Sequence, residues 1–311
     1  MPGKLHGRSL ISSKDLTTDE YAEVLHTAVI LKRQRRSRTP NLELTGKTLA
    51  MIFQKPSLRT RVSFEVGMTQ LGGHAIYLGP SDIKLGARET TEDIAIVLSR
   101  YADIIMARVF GHDIVADLAR HAGVPVINGL SDREHPCQIL ADLQTVQEKK
   151  GRLAGLHMVY VGDGNNVAHS LMYGCARVGM SLTVVTPEGF EPDAEILADS
   201  VEIGRSQNAT IASSRDLSAS VKNCDVIYTD VWASMGQEAE ADQRRQLFAP
   251  YQVNESVLAR ADAECVVLHC LPAHYEEEIT YEVTRSRNSA IFDQAENRLH
   301  AQKALMVLLA G

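Results

Sequence analysis

The sequence predicts an α/β protein made of two doubly wound parallel-sheet lobes joined by long helices. Three observations predict it. The chain has 311 residues, and at about 150 residues per domain that length suggests two domains. Short β-branched runs alternate with helical patterns along the whole chain, as repeated βα units do in parallel sheets covered on both faces. The alternation comes in two series, and one long helical stretch separates them, which puts the hinge near 135–150.

The first series opens with KTLAMIF (47–53), an apolar run that reads as a strand. A helix is expected from about Thr60 to Leu71, stopped by Gly72-Gly73. AIYLG (75–79) is strand-like. Thr90 and Asp93 have capping-box spacing before the helix EDIAIVLSRYA. DIIMARVF (103–110) reads as a strand, HDIVADLARHAG as a helix closed by Gly123, and PVINGL (125–130) as a strand. A long helix then begins near His135 and ends at Lys149-Lys150-Gly151. The second series is HMVYVGD (157–163), SLTVVTP (181–187), VIYTDV (226–231), CVVLHC (265–270) and AIFDQ (290–294), all read as strands. ALMVLLAG reads as the buried face of a last helix.

Composition narrows the function. A hydrophobic fraction of 44% and a charged fraction of 23% suit an ordinary globular protein. Lys and Arg number 32 against 39 Asp and Glu, a net charge of −7, which argues against a nucleic-acid-binding surface. The five cysteines (137, 175, 224, 265 and 270) are odd in number and show no C-x-x-C pair. That is neither a disulfide framework nor a zinc knuckle, and it points to a reducing, cytoplasmic compartment. The N-terminus lacks the apolar block of a signal peptide. No run approaches the roughly 18 apolar residues of a membrane span.

Six segments carry chemistry. In FQKPSLRTRVSFE (53–65) a strand gives way to a helix, with Lys55, Ser57, Arg59, Thr60 and Arg61 between or just inside. Unpaired N–H groups, hydroxyls and guanidinium groups at a helix start suit a phosphate. A solvated basic helix start accounts equally well for the pattern. INGLSDREHPCQILADL (127–143) delivers Asp132, His135, Cys137 and Gln138 to a helix start at Pro136. His135 and Gln138 can both donate to a carbonyl oxygen; a helix cap with a half-buried histidine is the plainer alternative. His135 and Cys137 lack the spaced partners of a metal site, so no metal is expected.

VYVGDGNNVAHS (159–170) begins like a dinucleotide turn, but Val167 stands where the third glycine belongs. The alternative is that Asn165 and Asn166 replace the pyrophosphate site and hold an amino acid. In YTDVWASMGQE (228–238), Asp230 ends a strand, where a carboxylate attracts an ammonium group; Ser234 and the backbone near Met235 add hydrogen-bonding capacity. In HCLPAHYEEEIT (269–280), Cys270 ends another strand and Leu271-Pro272 follows, a plausible cis turn. Cys270 is either a nucleophile or a structural thiol. In FDQAENRLHAQKALMVLL (292–309), Arg298 lies early in the last helix.

Taken in order, SLRTRVSFE, HPCQ, GDGNN, DVWASMG, HCLPAH and NR resemble the ornithine carbamoyltransferases of the aspartate/ornithine carbamoyltransferase superfamily, from about Leu10 to Gly311. The resemblance implies a carbamoyl-phosphate-binding domain over 1–146, with the last helix (295–311) packing back on it, and an ornithine-binding domain over 147–311. It implies transfer of the carbamoyl group of carbamoyl phosphate to the side-chain amine of L-ornithine, without metal or organic cofactor. It places Ser57, Leu58, Arg59, Thr60, Lys84, Arg108, His135, Pro136, Cys137, Gln138, Cys270, Leu271 and Arg298 around carbamoyl phosphate. Asn166, Asp230, Ser234 and Met235 then match ornithine-binding positions. Arg59, Arg108, His135, Gln138, Asp230 and Cys270 are the implied catalytic set, Asp230 and Cys270 being assigned to orient the amine and help remove its proton. A homotrimer, or a multiple of trimers, is implied, with a loop of one subunit reaching its neighbour's site.

Three positions depart from the family pattern. Leu58 stands where many relatives have Thr, Lys84 where many have Gln or His, and Tyr275-Glu276 where Arg-Gly is common. Lys84 resembles the aspartate carbamoyltransferases at that point. The rival expectations are a carbamoyltransferase for putrescine, an acylated ornithine or aspartate; a dinucleotide-dependent oxidoreductase; and a non-catalytic subunit.

Overall fold

The computed structural model describes residues 3–83, 85, 89–233 and 240–311. The chain divides into two compact units, Met1–Gln144 with Glu296–Gly311, and Thr145–Ala295.

The first unit begins with two overlapping stop-and-start signals. Ser12 and Asp15 form a capping box on a single 3-10 turn. Thr17 and Glu20 form another at the start of α1, Thr18–Arg36. Tyr21, Val24, Leu25, Ala28 and Leu31 are its buried positions, a helical spacing that the strand-led reading of the sequence passed over. There follow β1 (Thr48–Phe53), α2 (Leu58–Gln70), β2 (His74–Leu78), α3 (Thr91–Leu98), β3 (Ile104–Arg108), α4 (His112–His121) and β4 (Val126–Leu130). The four strands are parallel, in the order β2-β1-β3-β4. β1 and β3 are buried nearly throughout, as strands covered on both faces must be. β2, the outer strand, keeps exposed positions. Helix α5 (Pro136–Lys150) carries the chain into the second unit.

The second unit runs β5 (His157–Val161), α6 (Asn166–Arg177), β6 (Ser181–Val185), α7 (Ala194–Ser206), β7 (Ile211–Ser214), α8 (Leu217–Ser220), β8 (Val226–Thr229), α9 (Ala241–Phe248), α10 (Glu255–Leu258), β9 (Val266–His269) and α11 (Tyr281–Arg285). Its parallel sheet has the order β7-β6-β5-β8-β9. α12 (Ile291–Ala310) returns the chain to the first unit. The architecture is therefore two doubly wound parallel sheets joined by long helices, as the alternating pattern predicts.

Two local expectations need correction. Residues 290–294 do not form a strand. Ser289 makes one bridge to Val267, and Gln294 N then donates to Ala290 O, so the segment is already turning as α12. A five-residue apolar run cannot by itself distinguish a strand from the buried start of a helix. β7 was not anticipated, because this edge strand (Ile-Ala-Ser-Ser) buries only one residue fully. None of the described helices is long and apolar enough to cross a membrane.

Candidate active site

In an open parallel sheet, ligands bind beyond the carboxyl ends of the strands, where the strand order reverses. In the first unit that point lies between β1 and β3. Phe53 and Arg108 end those strands opposite one another, and Gln54 N donates to Arg108 O at 2.9 Å. The turn after β1 leads straight into α2, two residues earlier than the sequence suggests. Ser57 is the N-cap, its Oγ accepting from Thr60 N at 3.4 Å. Leu58 is 76% exposed, so its backbone rather than its side chain belongs to the turn.

The next strand end, β4, supplies the second wall. Pro136 opens α5, behind His135, which is 5% exposed. Arg298 of α12, 4% exposed, binds the two walls together. Its Nη1 donates to Gln138 Oε1 at 2.8 Å and its Nη2 to Thr60 Oγ1 at 3.2 Å. Gln138 Nε2 in turn donates to Asp142 Oδ1 at 2.7 Å. With its amide turned to satisfy both ends, Gln302 accepts from Arg298 Nε at 3.2 Å and Nη2 at 3.1 Å and donates to Ser63 Oγ at 2.5 Å.

Charge follows from this geometry. Burial, and then the guanidinium groups of Arg298, Arg108 and Arg59, hold the His135 pKa well below the ordinary histidine value. A neutral imidazole among three cations is a hydrogen-bonding group in a site whose net charge calls for an anion. The remaining candidates are placed differently. Arg61 turns outward, paired with Glu65 at 2.9 Å and lying over Tyr77. Lys55 lies over the ring of Phe110. Cys137 is buried and its thiol faces Asn128 O at 3.4 Å; burial pushes its pKa up to about 12, so it is an inert thiol. Lys84 lies outside the described residues.

In the second unit the strand order reverses between β5 and β8. The GDGNN turn follows β5, Asp230 follows β8 and Cys270 follows β9. Asp230 is 7% exposed. Its Oδ1 accepts from Cys270 Sγ at 2.9 Å and Val231 N at 2.8 Å, and its Oδ2 from Asn165 Nδ2 at 3.0 Å. Asn165 also caps α6, its Oδ1 accepting from Val167 N and Ala168 N. The carboxylate is thus held by Asn165; Asn166, the expected ligand, is the first residue of α6. A second carboxylate, Asp163, pairs with the buried Arg244 at 2.7 Å. Burial raises the Asp163 pKa, the Arg244 bond opposes the rise, and Asp230 adds to it. Ser234 and Met235 lie outside the described residues.

The Cys270-Leu271-Pro272 turn is shaped from behind. Leu271 has φ +60° and precedes a cis peptide bond to Pro272. Its N–H donates to His269 Nδ1 at 2.8 Å. That fixes the proton on Nε2, which faces Glu278 Oε1 at 2.9 Å with both side chains fully buried. Among the described residues, Asp230, His269 and Cys270 are close enough to share a metal ion, as are His274, Glu277 and Glu278. However, both nitrogens of His269 and the Oε1 of Glu278 already have hydrogen-bond uses.

The comparisons agree with this geometry. Residues 8–148 match the family model described as "Aspartate/ornithine carbamoyltransferase, carbamoyl-P binding domain", and residues 154–309 match its "Asp/Orn binding domain". The chain belongs to the aspartate/ornithine carbamoyltransferase family. It is 54% identical to an ornithine carbamoyltransferase of Thermococcus kodakarensis, over 99% of this chain and 98% of that one. It is 53% identical to one of Pyrococcus furiosus named anabolic, with 99% and 98% covered. The solved ornithine carbamoyltransferase of Pyrococcus furiosus superposes with a TM-score of 0.97 at 53% identity, covering 99% of this chain and 98% of that chain. That of Gloeobacter violaceus gives 0.89 at 47%, covering 98% and 99%.

For a carbamoyltransferase of this family, the residues that the sequence reading missed are the ones that hold others in place: Asp142, Gln302, His269, Glu278 and Arg244; Asn165, expected to hold an amino acid, holds Asp230. Some were signalled. Asp142 follows Gln138 by four residues and Gln302 follows Arg298 by four, each a polar i,i+4 pair on a helix otherwise buried at those turns.

Proposed function

We propose that this chain transfers the carbamoyl group of carbamoyl phosphate to the side-chain amine of L-ornithine, giving L-citrulline and inorganic phosphate in the cytoplasm. The observation that carries the proposal is the neutral His135 set among Arg59, Arg108 and Arg298 beyond the ends of β1, β3 and β4. A dianionic acyl phosphate suits three guanidinium groups and the capped start of α2. The adjoining His135 and Gln138 then face the carbamoyl carbonyl.

The first unit accordingly binds carbamoyl phosphate, through Ser57, Leu58, Arg59, Thr60, Arg108, His135, Pro136, Cys137, Gln138 and Arg298, of which Leu58, Pro136 and Cys137 serve through backbone. The second unit binds ornithine, through Asn166, Asp230, Ser234 and Met235, and supplies Cys270 and Leu271. The ornithine side-chain ammonium has a reference pKa of about 10, by analogy with lysine, and must lose its proton to attack. Asp230 accepts from the ammonium, and Cys270, bonded to Asp230, orients it. The amine nitrogen bonds to the carbonyl carbon, giving a tetrahedral oxyanion. The bond from carbon to the phosphate oxygen then breaks, phosphate leaves with the electron pair, and the departing phosphate takes the second proton from the newly bonded nitrogen. Guanidinium groups and hydrogen-bond donors stabilise both charges; each such donor contributes about 3–4 kcal/mol to lowering a barrier of this kind.

Citrulline formation is the working direction, as the anabolic name of the Pyrococcus relative supports, and it serves arginine synthesis. We further propose a homotrimer, or a multiple of trimers, with Lys84 reaching a neighbouring subunit. Val62, Val66 and Ile76, exposed on α2 and on the outer strand β2, give such an interface an apolar face.

The test is turnover of the purified protein with carbamoyl phosphate and ornithine, putrescine, an acylated ornithine or aspartate. Ornithine is expected to be carbamoylated fastest. A higher kcat/KM on any other acceptor overturns the substrate assignment.

A further inference from the structure

Glu134 immediately precedes His135 and is 2% exposed. A carboxylate so deeply buried is costly unless its oxygens are met by donors. Both are met, and from far along the chain. Oε1 accepts from Ser12 Oγ at 2.5 Å and Oε2 from Ser13 N at 2.7 Å. The backbone of Glu134 is held as well: its N–H donates to Ser131 Oγ at 3.3 Å and its carbonyl accepts from Ser131 N at 2.9 Å.

The segment that supplies these donors is itself fixed. Leu10 N donates to Val126 O at 2.9 Å and Asn128 N to Leu10 O at 2.8 Å, so residue 10 extends the sheet beside β4. Asp15 Oδ2 accepts from Ile11 N and Ser12 N, and the Tyr21 hydroxyl of α1 donates to Ser13 O at 2.8 Å. A continuous set of bonds therefore runs from α1 through Ser12 and Ser13 to Glu134, and ends one residue from the imidazole. An apolar side chain would fill the same space without the cost of a buried charge. What it would lack is the two directional bonds that the Glu134 side chain accepts from Ser12 and Ser13, one residue from His135.

We infer that Glu134 is a positioning residue: clamped by Ser12 and Ser13, it sets the place of the His135 imidazole against the carbamoyl carbonyl. The inference rests on the carbamoyl-transfer reading above. Displacing a catalytic group by about 1 Å costs on the order of a hundredfold in rate.

The test uses the full-length protein with Glu134→Ala, Glu134→Gln and Ser12→Ala. Glu134→Ala is expected to lower kcat/KM for carbamoyl phosphate by roughly tenfold to a hundredfold. The KM for ornithine and the calorimetric affinity for inorganic phosphate should stay within about twofold of the parent, because Asp230 and the Ser57 cap are untouched. Glu134→Gln keeps one acceptor and should recover most of the loss; Ser12→Ala removes one bond and should lie between. In the unliganded protein, the His135 ring 15N signals should move in Glu134→Ala. Parent-like kinetics with unmoved ring signals overturns the inference, and so does a loss of phosphate affinity in step with turnover. If Glu134→Ala does not fold, the two milder variants carry the same comparison. A parent protein that makes no citrulline defeats the functional reading instead, and the ring signals then decide on Glu134 alone.

Discussion

Arg298→Met removes a guanidinium and keeps most of the stem that carries it. In the folded protein that group donates to Gln138 at 2.8 Å and to Thr60 at 3.2 Å, on the two walls of the proposed phosphate site. If it also stabilises charge developing on the phosphate and carbonyl oxygens, its loss costs about 3–4 kcal/mol of barrier. At tenfold per 1.36 kcal/mol, that is a fall in kcat/KM for carbamoyl phosphate of about a hundredfold to a thousandfold. Stability should change less. Gln138 Oε1 and Thr60 Oγ1 each lose a donor, at about 1–3 kcal/mol for a buried group left unsatisfied. Against this, one of three like charges leaves a buried cluster. His135 gives an independent readout, since Arg298 is the largest charge effect on it after burial itself; the substitution should move its pKa upward. The assay is initial rates over a carbamoyl phosphate series at saturating ornithine, with calorimetry against phosphate and an NMR titration of His135. A variant within about threefold of the parent in kcat/KM, with unchanged phosphate affinity, would refute the phosphate site.

Asp230→Asn keeps the shape but not the charge that attracts an ammonium, so steady-state kinetics should show kcat about a hundredfold lower with little change in the KM for carbamoyl phosphate. Asn165→Ala removes both the α6 cap and a donor to Asp230; urea titration should show a loss of about 1–2 kcal/mol, and ornithine KM should rise. Arg244→Met leaves the buried Asp163 without its cation; a loss of about 3–5 kcal/mol of stability is expected by denaturant titration. His135 stays neutral in the fold at pH values where the unfolded chain protonates it. The unfolded state then binds the extra proton, so stability must fall as pH drops below about 6.5, and His135→Gln should flatten that slope in urea titrations at pH 6.5 and 5.5.

What the sequence makes legible follows from where its information is local. β1, β4, β8 and β9 are short apolar runs ended by polar turns, so the strand ends are readable, and Ser57, His135, Asp230 and Cys270 can be placed just beyond them. A doubly wound sheet puts strand ends at the site, which is why those residues emerged without coordinates. The chain of holders did not. Asn165 rather than Asn166 meets Asp230 because the cap geometry of α6 turns one amide back across the sheet edge. The His269–Glu278 pair spans a turn with a left-handed residue, and Glu134 meets Ser12 across most of a unit. Such bonds depend on tertiary placement, which no periodicity encodes. The 290–294 segment failed for the opposite reason: its apolar residues are real, but burial alone does not distinguish a helix start from a strand.

The dinucleotide alternative is answered by the same turn that suggested it. In a dinucleotide fold the N–H groups at the start of the first helix hold a pyrophosphate, and glycine lets it approach. Here the Asn165 side chain already accepts from Val167 N and Ala168 N, so the helix start is occupied by the protein itself. Gly164 is needed for another reason: a Cβ there would fall inside the backbone of Glu191 and Pro192. The glycine admits a neighbouring loop rather than a phosphate. Asp163, within the turn, is paired with Arg244, so it is the Asp230 carboxylate, bonded to Asn165, that makes this strand end unfavourable to a pyrophosphate and favourable to an ammonium. One sheet end is cationic and its counterpart in the other unit is anionic. Each charge suits the substrate proposed for its own unit, a phosphorylated donor for the first and an amino acceptor for the second.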